Sequence, residues 1–279
     1  MEQAKGQETG GDHGSGADLT SVTRPLSTRI PARGLFEDDW RARPTTERPY
    51  PVVLVHGTTT TKGDWMELGR QLRAAGWAVF APDFGNRATA PLEESADQLA
   101  AYFDVVLKAT GAKKLILVGH SQGGILCRMW LEQAPGARHK VKHLVMLATP
   151  NHGTEMGGII NPLIRSPRAS SFVDSVVRNW FGPAGFDQIT GTKILDQLNA
   201  DTTPLPGVSY TCIATRSDTL IYPPDSCFLF RNELPEKPDA IRNLWVQDFH
   251  PRAIVLHEDM PYDRRVRDIV VADIERFTR

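Results

Sequence analysis

Residues 115–124 read Leu115-Ile116-Leu117-Val118-Gly119-His120-Ser121-Gln122-Gly123-Gly124. An apolar run enters a Gly-x-Ser-x-Gly turn, and Ile125, Leu126, Met129, Trp130 and Leu131 follow at helical spacing. A serine between a buried strand and a helix takes strained backbone angles that lift its hydroxyl clear of the sheet. Gly119 and Gly123 lack Cβ atoms, so strand and helix can approach each other beside Ser121. Taken alone the pattern also fits an ordinary glycine-rich turn with a solvated serine, so its meaning depends on the rest of the chain.

Outward from this elbow, strand and helix patterns alternate. Apolar runs predict strands over residues 51–56, 77–84, 113–120, 141–148, 207–215 and 241–248. Helical periodicity predicts helices over 64–75, with Asp64 as N-cap and Gly76 at the end, and over 92–110, 123–133 and 263–277. Strands that are apolar throughout and spaced by helices are buried on both faces, which implies an α/β fold around a mainly parallel sheet. Reactive groups in such sheets gather at the carboxyl ends of the strands. Residues 1–30 read as a disordered leader and 31–279 as one domain. Residues 153–200 break the rhythm, and Phe172, Val173, Val176, Val177, Trp180 and Phe181 form an apolar helical stripe there. The expectation is a helical lid or cap over the catalytic edge, and an ordinary core helix is the alternative.

Composition excludes several classes of function. With 32 basic and 33 acidic residues, mixed along the chain, the formal net charge is -1. That gives no electrostatic case for nucleic acid. No apolar run reaches the 18 or so residues needed to span a bilayer. The leader carries no apolar segment of a secretory signal, so the default expectation is cytoplasmic, or exported if a signal was removed. Cys127 reads as a core thiol, while Cys212 and Cys227 either close a disulfide or pack reduced.

A serine hydroxyl needs a base, and the base needs a group that orients it. His257 lies in Val255-Leu256-His257-Glu258-Asp259, between the last strand and the closing helix, and is preferred as base. His250, directly off a strand and followed by Pro251, is the alternative. Asp218 ends the strand before, in Thr215-Arg216-Ser217-Asp218, and is preferred as the acid over Asp225 and over Asp248, expected in or at the end of a strand. A developing oxyanion needs preorganised donors. The N–H of Gln122, opening the helix, and that of Thr58, after the first strand, are the candidates. Thr59 and the stripe residues Phe172, Val176 and Trp180 are the candidate substrate contacts. His56 precedes the nucleophile and reads as a structural histidine.

The segments Tyr50 through Gly57, Gly119 through Gly124, Ala148-Thr-Pro-Asn-His-Gly153, Thr215 through Asp218 and His257 through Asp263 together resemble the α/β-hydrolase superfamily. Within it, residues 45–278 are similar to bacterial lipases of the class 2 triacylglycerol lipase/esterase type. The resemblance implies hydrolysis of carboxylic esters of glycerol or simpler alcohols, without an organic cofactor. It implies Ser121, Asp218 and His257 as a triad, with Thr58 and Gln122 in the oxyanion hole. The expected partner is a small-molecule or lipid ester, with transient contact at a lipid interface. No metal ligand set is expected, because Asp259 and Asp263 alone do not make a calcium site. Acyl transfer, lactone or polyester hydrolysis, and non-catalytic binding of an apolar ligand are the rival readings.

Overall fold

Six strands form one parallel sheet in the order β2-β1-β3-β4-β5-β6. The strands are β1 (Val52–Val55), β2 (Val79–Phe80), β3 (Leu115–His120), β4 (Val141–Leu147), β5 (Ser209–Ala214) and β6 (Ile241–Trp245). The computed structural model of the protein describes residues 25, 29–155, 184, 188, 191–200, 204–229 and 240–278. The leader up to residue 24 and most of the expected lid, including Phe172, Val176 and Trp180, lie outside the described residues.

Every residue of β1 and β3 is buried, whichever face its side chain points to. That is what continuous apolar runs produce when both faces of a parallel sheet are covered. The cover comes from α1 (Met66–Ala74), α2 (Leu92–Thr110), α3 (Gln122–Gln133), α4 (Lys193–Leu198), the short α5 (Val246–Phe249) and α6 (Arg264–Thr278). Helix α2 packs on α3 through Phe103 and Trp130, whose rings sit 4.7 Å apart. Helices α1 and α6 meet where Gln71 bonds Asp268 at 2.8 Å and Arg267 at 3.2 Å. Trp65, Phe80 and Phe103 are fully buried, each contributing roughly 1.5–3 kcal/mol of apolar transfer.

The sheet order places the functional edge. The chain steps from β1 to β2 on one side and then crosses to β3 on the other, so a crevice opens at the carboxyl ends of β1 and β3. On the lower half of the sheet, a buried network ties α6 down. His143 on β4 bonds Asp273 at 2.8 Å and Ser209 Oγ at 2.8 Å, and Arg242 donates to the same aspartate.

Three expectations are corrected, and of the two readings of Cys212 and Cys227 the reduced one holds. Asp64 does not cap a long helix; Thr61 caps a 3-10 turn, Lys62–Trp65, in which Asp64 is buried, and α1 follows. Strand β2 is shorter than residues 77–84, since it is an edge with one partner and Pro82 offers no donor to a ladder. Asp248 is not in a strand: the chain turns helical at Val246, and Asp248 Oδ2 accepts from Trp245 N at 2.9 Å. Cys212 and Cys227 are free and buried, and burial pushes the Cys212 thiol up to about 12. Asn151 holds this region instead, donating to the Cys227 carbonyl at 2.7 Å.

Candidate active site

Ser121 sits between β3 and α3 with φ 51° and ψ -124°, outside the ordinary wells of an L-residue. Such a conformation costs about 1–3 kcal/mol and persists only where neighbours over-determine it. Here they do. Ser121 N donates to the Leu147 carbonyl at 2.9 Å, and the Ser121 carbonyl accepts from Gly124 N at 3.0 Å. A Cβ on Gly119 would lie 2.5 Å from Gly124 N, and one on Gly123 would lie 2.3 Å from the Val55 carbonyl oxygen. Both glycines therefore hold the strand-to-helix approach the sequence suggested. Gly124 belongs with them, since its Cβ would meet Thr149 Oγ1 at 2.0 Å.

Asp218 and His257 come together at the ends of β5 and β6. His257 Nδ1 lies 2.9 Å from Asp218 Oδ2, with side chains 6% and 1% exposed. A carboxylate only accepts, so Nδ1 carries a proton, and in the neutral ring Nε2 keeps its lone pair. Asp218 Oδ1 accepts from Leu220 N at 2.9 Å and Ile221 N at 2.8 Å, which fixes the carboxylate from behind. The alternatives fall elsewhere: His250 ends α5, Asp248 caps it, and Asp225 lies in the 3-10 turn Pro224–Cys227.

The loop after β1 completes the edge. Among the described residues no acceptor is found for the Thr58 N–H, and Gln122 N opens α3, where no earlier turn of helix supplies a carbonyl to accept from it. Thr59 differs: its N–H donates to the Arg87 carbonyl at 2.7 Å, so that donor is not available to a substrate. Arg87 belongs to an unusual turn, in which Gly85, Asn86, Arg87 and Ala88 all have φ between 48° and 62°. This is one turn of left-handed helix, costing about 1–2 kcal/mol for each non-glycine residue. Gln188 donates to Thr58 Oγ1 at 3.1 Å and to the Ala184 carbonyl at 3.0 Å.

Three further residues escaped the sequence reading. His120 Nε2 lies 3.0 Å from the His257 carbonyl oxygen, and the two rings pack 5.0 Å apart. Gln247 joins the end of β5 to the base loop, donating to Thr215 Oγ1 at 3.2 Å and the Ala253 carbonyl at 3.0 Å. Arg128, buried in α3, reaches Asn151 at 3.0 Å and the Leu198 carbonyl at 2.8 Å. His56 is the structural histidine expected. It stacks on Phe84 at 4.3 Å, its Nδ1 bonds the Gly57 carbonyl at 2.9 Å, and burial pushes its pKa down to about 4. Asp263 pairs with Arg265 at 2.6 Å and Asp259 with Arg33 at 3.7 Å. No helix among the described residues is long and apolar enough to cross a membrane.

A family model for the alpha/beta hydrolase fold matches residues 50–181. A triacylglycerol lipase of Pseudarthrobacter phenanthrenivorans is 29% identical over 159 residues, 54% of this chain and 47% of that protein. One of Burkholderia plantarii is equally identical over 54% of this chain and 42% of that protein. The chain thus spans about half the length, or less, of these curated relatives. Lipase B of Aspergillus fumigatus superposes with a TM-score of 0.65 at 17% identity, over 85% of this chain and 54% of that one, a likeness of fold. With its parallel sheet, its strained serine elbow at the switch point and the family model matched over residues 50–181, the chain has the α/β-hydrolase fold.

Proposed function

We propose that this protein hydrolyses carboxylic esters, with Ser121 as nucleophile, His257 as base and Asp218 as the group that orients the base. The observation that carries the reading is the 2.9 Å contact between His257 Nδ1 and Asp218 Oδ2, which in the neutral ring leaves the lone pair on Nε2 for a base. On this reading His257 Nε2 takes the Ser121 proton as Oγ attacks the ester carbonyl. The Thr58 and Gln122 N–H groups receive the developing oxyanion, and the dipole of α3 adds to their effect. The tetrahedral intermediate collapses to an acyl-serine, and the alcohol leaves with the proton from His257. A water activated by the same histidine then releases the acid.

The substrate we infer is an acylglycerol or a related apolar ester. Two matched relatives are named triacylglycerol lipases, and the sequence carries an apolar stripe where a lid or acyl cleft would lie. A series of p-nitrophenyl and glycerol esters of rising chain length, each below and above its aggregation limit, tests both parts. Ser121→Ala is expected to abolish turnover, by about 10⁴-fold or more. Full turnover by that variant would refute the nucleophile, and activity confined to short soluble esters would refute the lipase reading.

A further inference from the structure

The residue immediately before Ser121 touches all three catalytic loops. His120 is joined to the elbow through the chain, and its buried ring packs on the ring of His257 with centroids 5.0 Å apart. It also faces the loop after β1 so closely that a Cβ on Gly57 would sit 3.1 Å from its Nδ1.

The hydrogen bonding of this ring has one solution. Nε2 lies 3.0 Å from the main-chain oxygen of His257, and a carbonyl only accepts, so Nε2 carries the proton and donates. Nδ1 is buried with no partner. A second proton there would be desolvated beside His257 and His56, and the ring is held in its neutral form, well below the ordinary histidine range.

We propose that His120 is a positioning residue for ester hydrolysis: its Nε2–H holds the main chain of His257, and so fixes the base relative to the serine one residue away. The inference rests on the hydrolase reading given above. His257 opens a 3-10 turn, His257–Asp259, at the end of a loop with no strand partner. Asp218 fixes its ring from one side, and His120 fixes its backbone from the side of the nucleophile. The neutral ring also puts no second cation beside the imidazolium that His257 becomes.

Donor and shape can be separated by substitution. His120→Phe keeps a planar ring and loses the donor, whereas His120→Gln returns an N–H near the position of Nε2. We expect His120→Phe to lower kcat by about 10- to 100-fold, the scale of a misplaced catalytic group, with KM little changed. His120→Gln should recover most of the loss. Thermal melting of each variant identifies any that do not fold, and His120→Met, apolar and flexible, replaces His120→Phe if that variant fails. A folded donor-less variant at wild-type kcat, or a folded His120→Gln as slow as His120→Phe, overturns the inference while Ser121-dependent turnover stands. Wild-type turnover that Ser121→Ala leaves intact overturns the hydrolase reading and this inference with it.

Discussion

Gln188 Nε2 donates to Thr58 Oγ1 at 3.1 Å, across 130 residues of sequence. A hydroxyl that accepts on one lone pair still has its own proton to give, and Gln188 therefore restricts where that proton points. Gln188→Ala should lower kcat about 3- to 10-fold, the net worth of one neutral hydrogen bond. Thr58→Val should lower it similarly, and the double variant should show less than the product of the two effects. Strict multiplication of the two would mean that the pair does not act as a unit.

Asp218→Asn keeps an oxygen for the Leu220 and Ile221 N–H groups and presents an amide to His257. That amide favours the tautomer with the proton on Nε2, where the base needs a lone pair. The expected loss is about 10³–10⁴-fold in kcat, with a folded protein and little change in KM. Steady-state kinetics beside a thermal melt decide it, and a variant within a few-fold of wild type counts against Asp218 as the orienting acid.

Gly123 and Gly111 should lose different amounts of stability on substitution by alanine, for different reasons. A Cβ on Gly123 meets main-chain oxygens of Val55 and His56 at 2.3 and 2.6 Å, and neither strand end can give way. Gly111, with φ of 71°, meets nothing within 4 Å. Urea denaturation should show a loss of roughly 3 kcal/mol or more for Gly123→Ala, and about 1–2 kcal/mol for Gly111→Ala. Equal losses would show that backbone strain, not contact, governs both.

Stability should fall on the acid side before the carboxylates titrate. Burial lowers the His56 pKa from 6.5 to about 4, and burial followed by His257 lowers that of His120. Between those values the unfolded chain binds more protons than the native one. The contribution is therefore complete above about pH 6.5 and is lost as pH falls toward 4. Asp64 opposes this near the lower end, since burial raises its carboxyl and the native state takes up that proton first. His56 alone is worth about 3 kcal/mol over the window. Urea unfolding from about pH 7.5 to about pH 4.5 should show the decline, and a flat profile contradicts it.

What the sequence could reveal was what depends on near neighbours. Helix α2 spans residues 92–110 as expected, because Pro91 precedes it and Gly111 closes it in the left-handed conformation. The expected contact of Asp218 with His257 rested on chain order in a parallel sheet, and the structure brings those two side chains together. Gln188, Gln247 and His120 carry no such local mark. Their partners lie 130, 32 and 137 residues away, and nothing in the flanking sequence announces a bond to Thr58, Thr215 or His257. Strand β2 is shorter than its apolar run because Trp77, Ala81 and Phe84 are buried outside the strand, and burial alone leaves the same apolar trace. Asp248, expected in or at the end of a strand, lies beyond β6 because its carboxylate caps α5 by accepting from Trp245 N, a role the apolar run before it does not announce.

At residues 85–88 the usual ranking of amino acids runs backwards. Alanine, the best choice inside α2, is a strained choice at position 88, where glycine would fit better and a β-branched residue worse. A substitution table built on helix propensity would select against this turn, and one built on hydrophobicity would not register it. The handedness of four residues that stand outside the sheet is thus inherited by Thr59, through the Arg87 carbonyl, and by the loop that faces the serine.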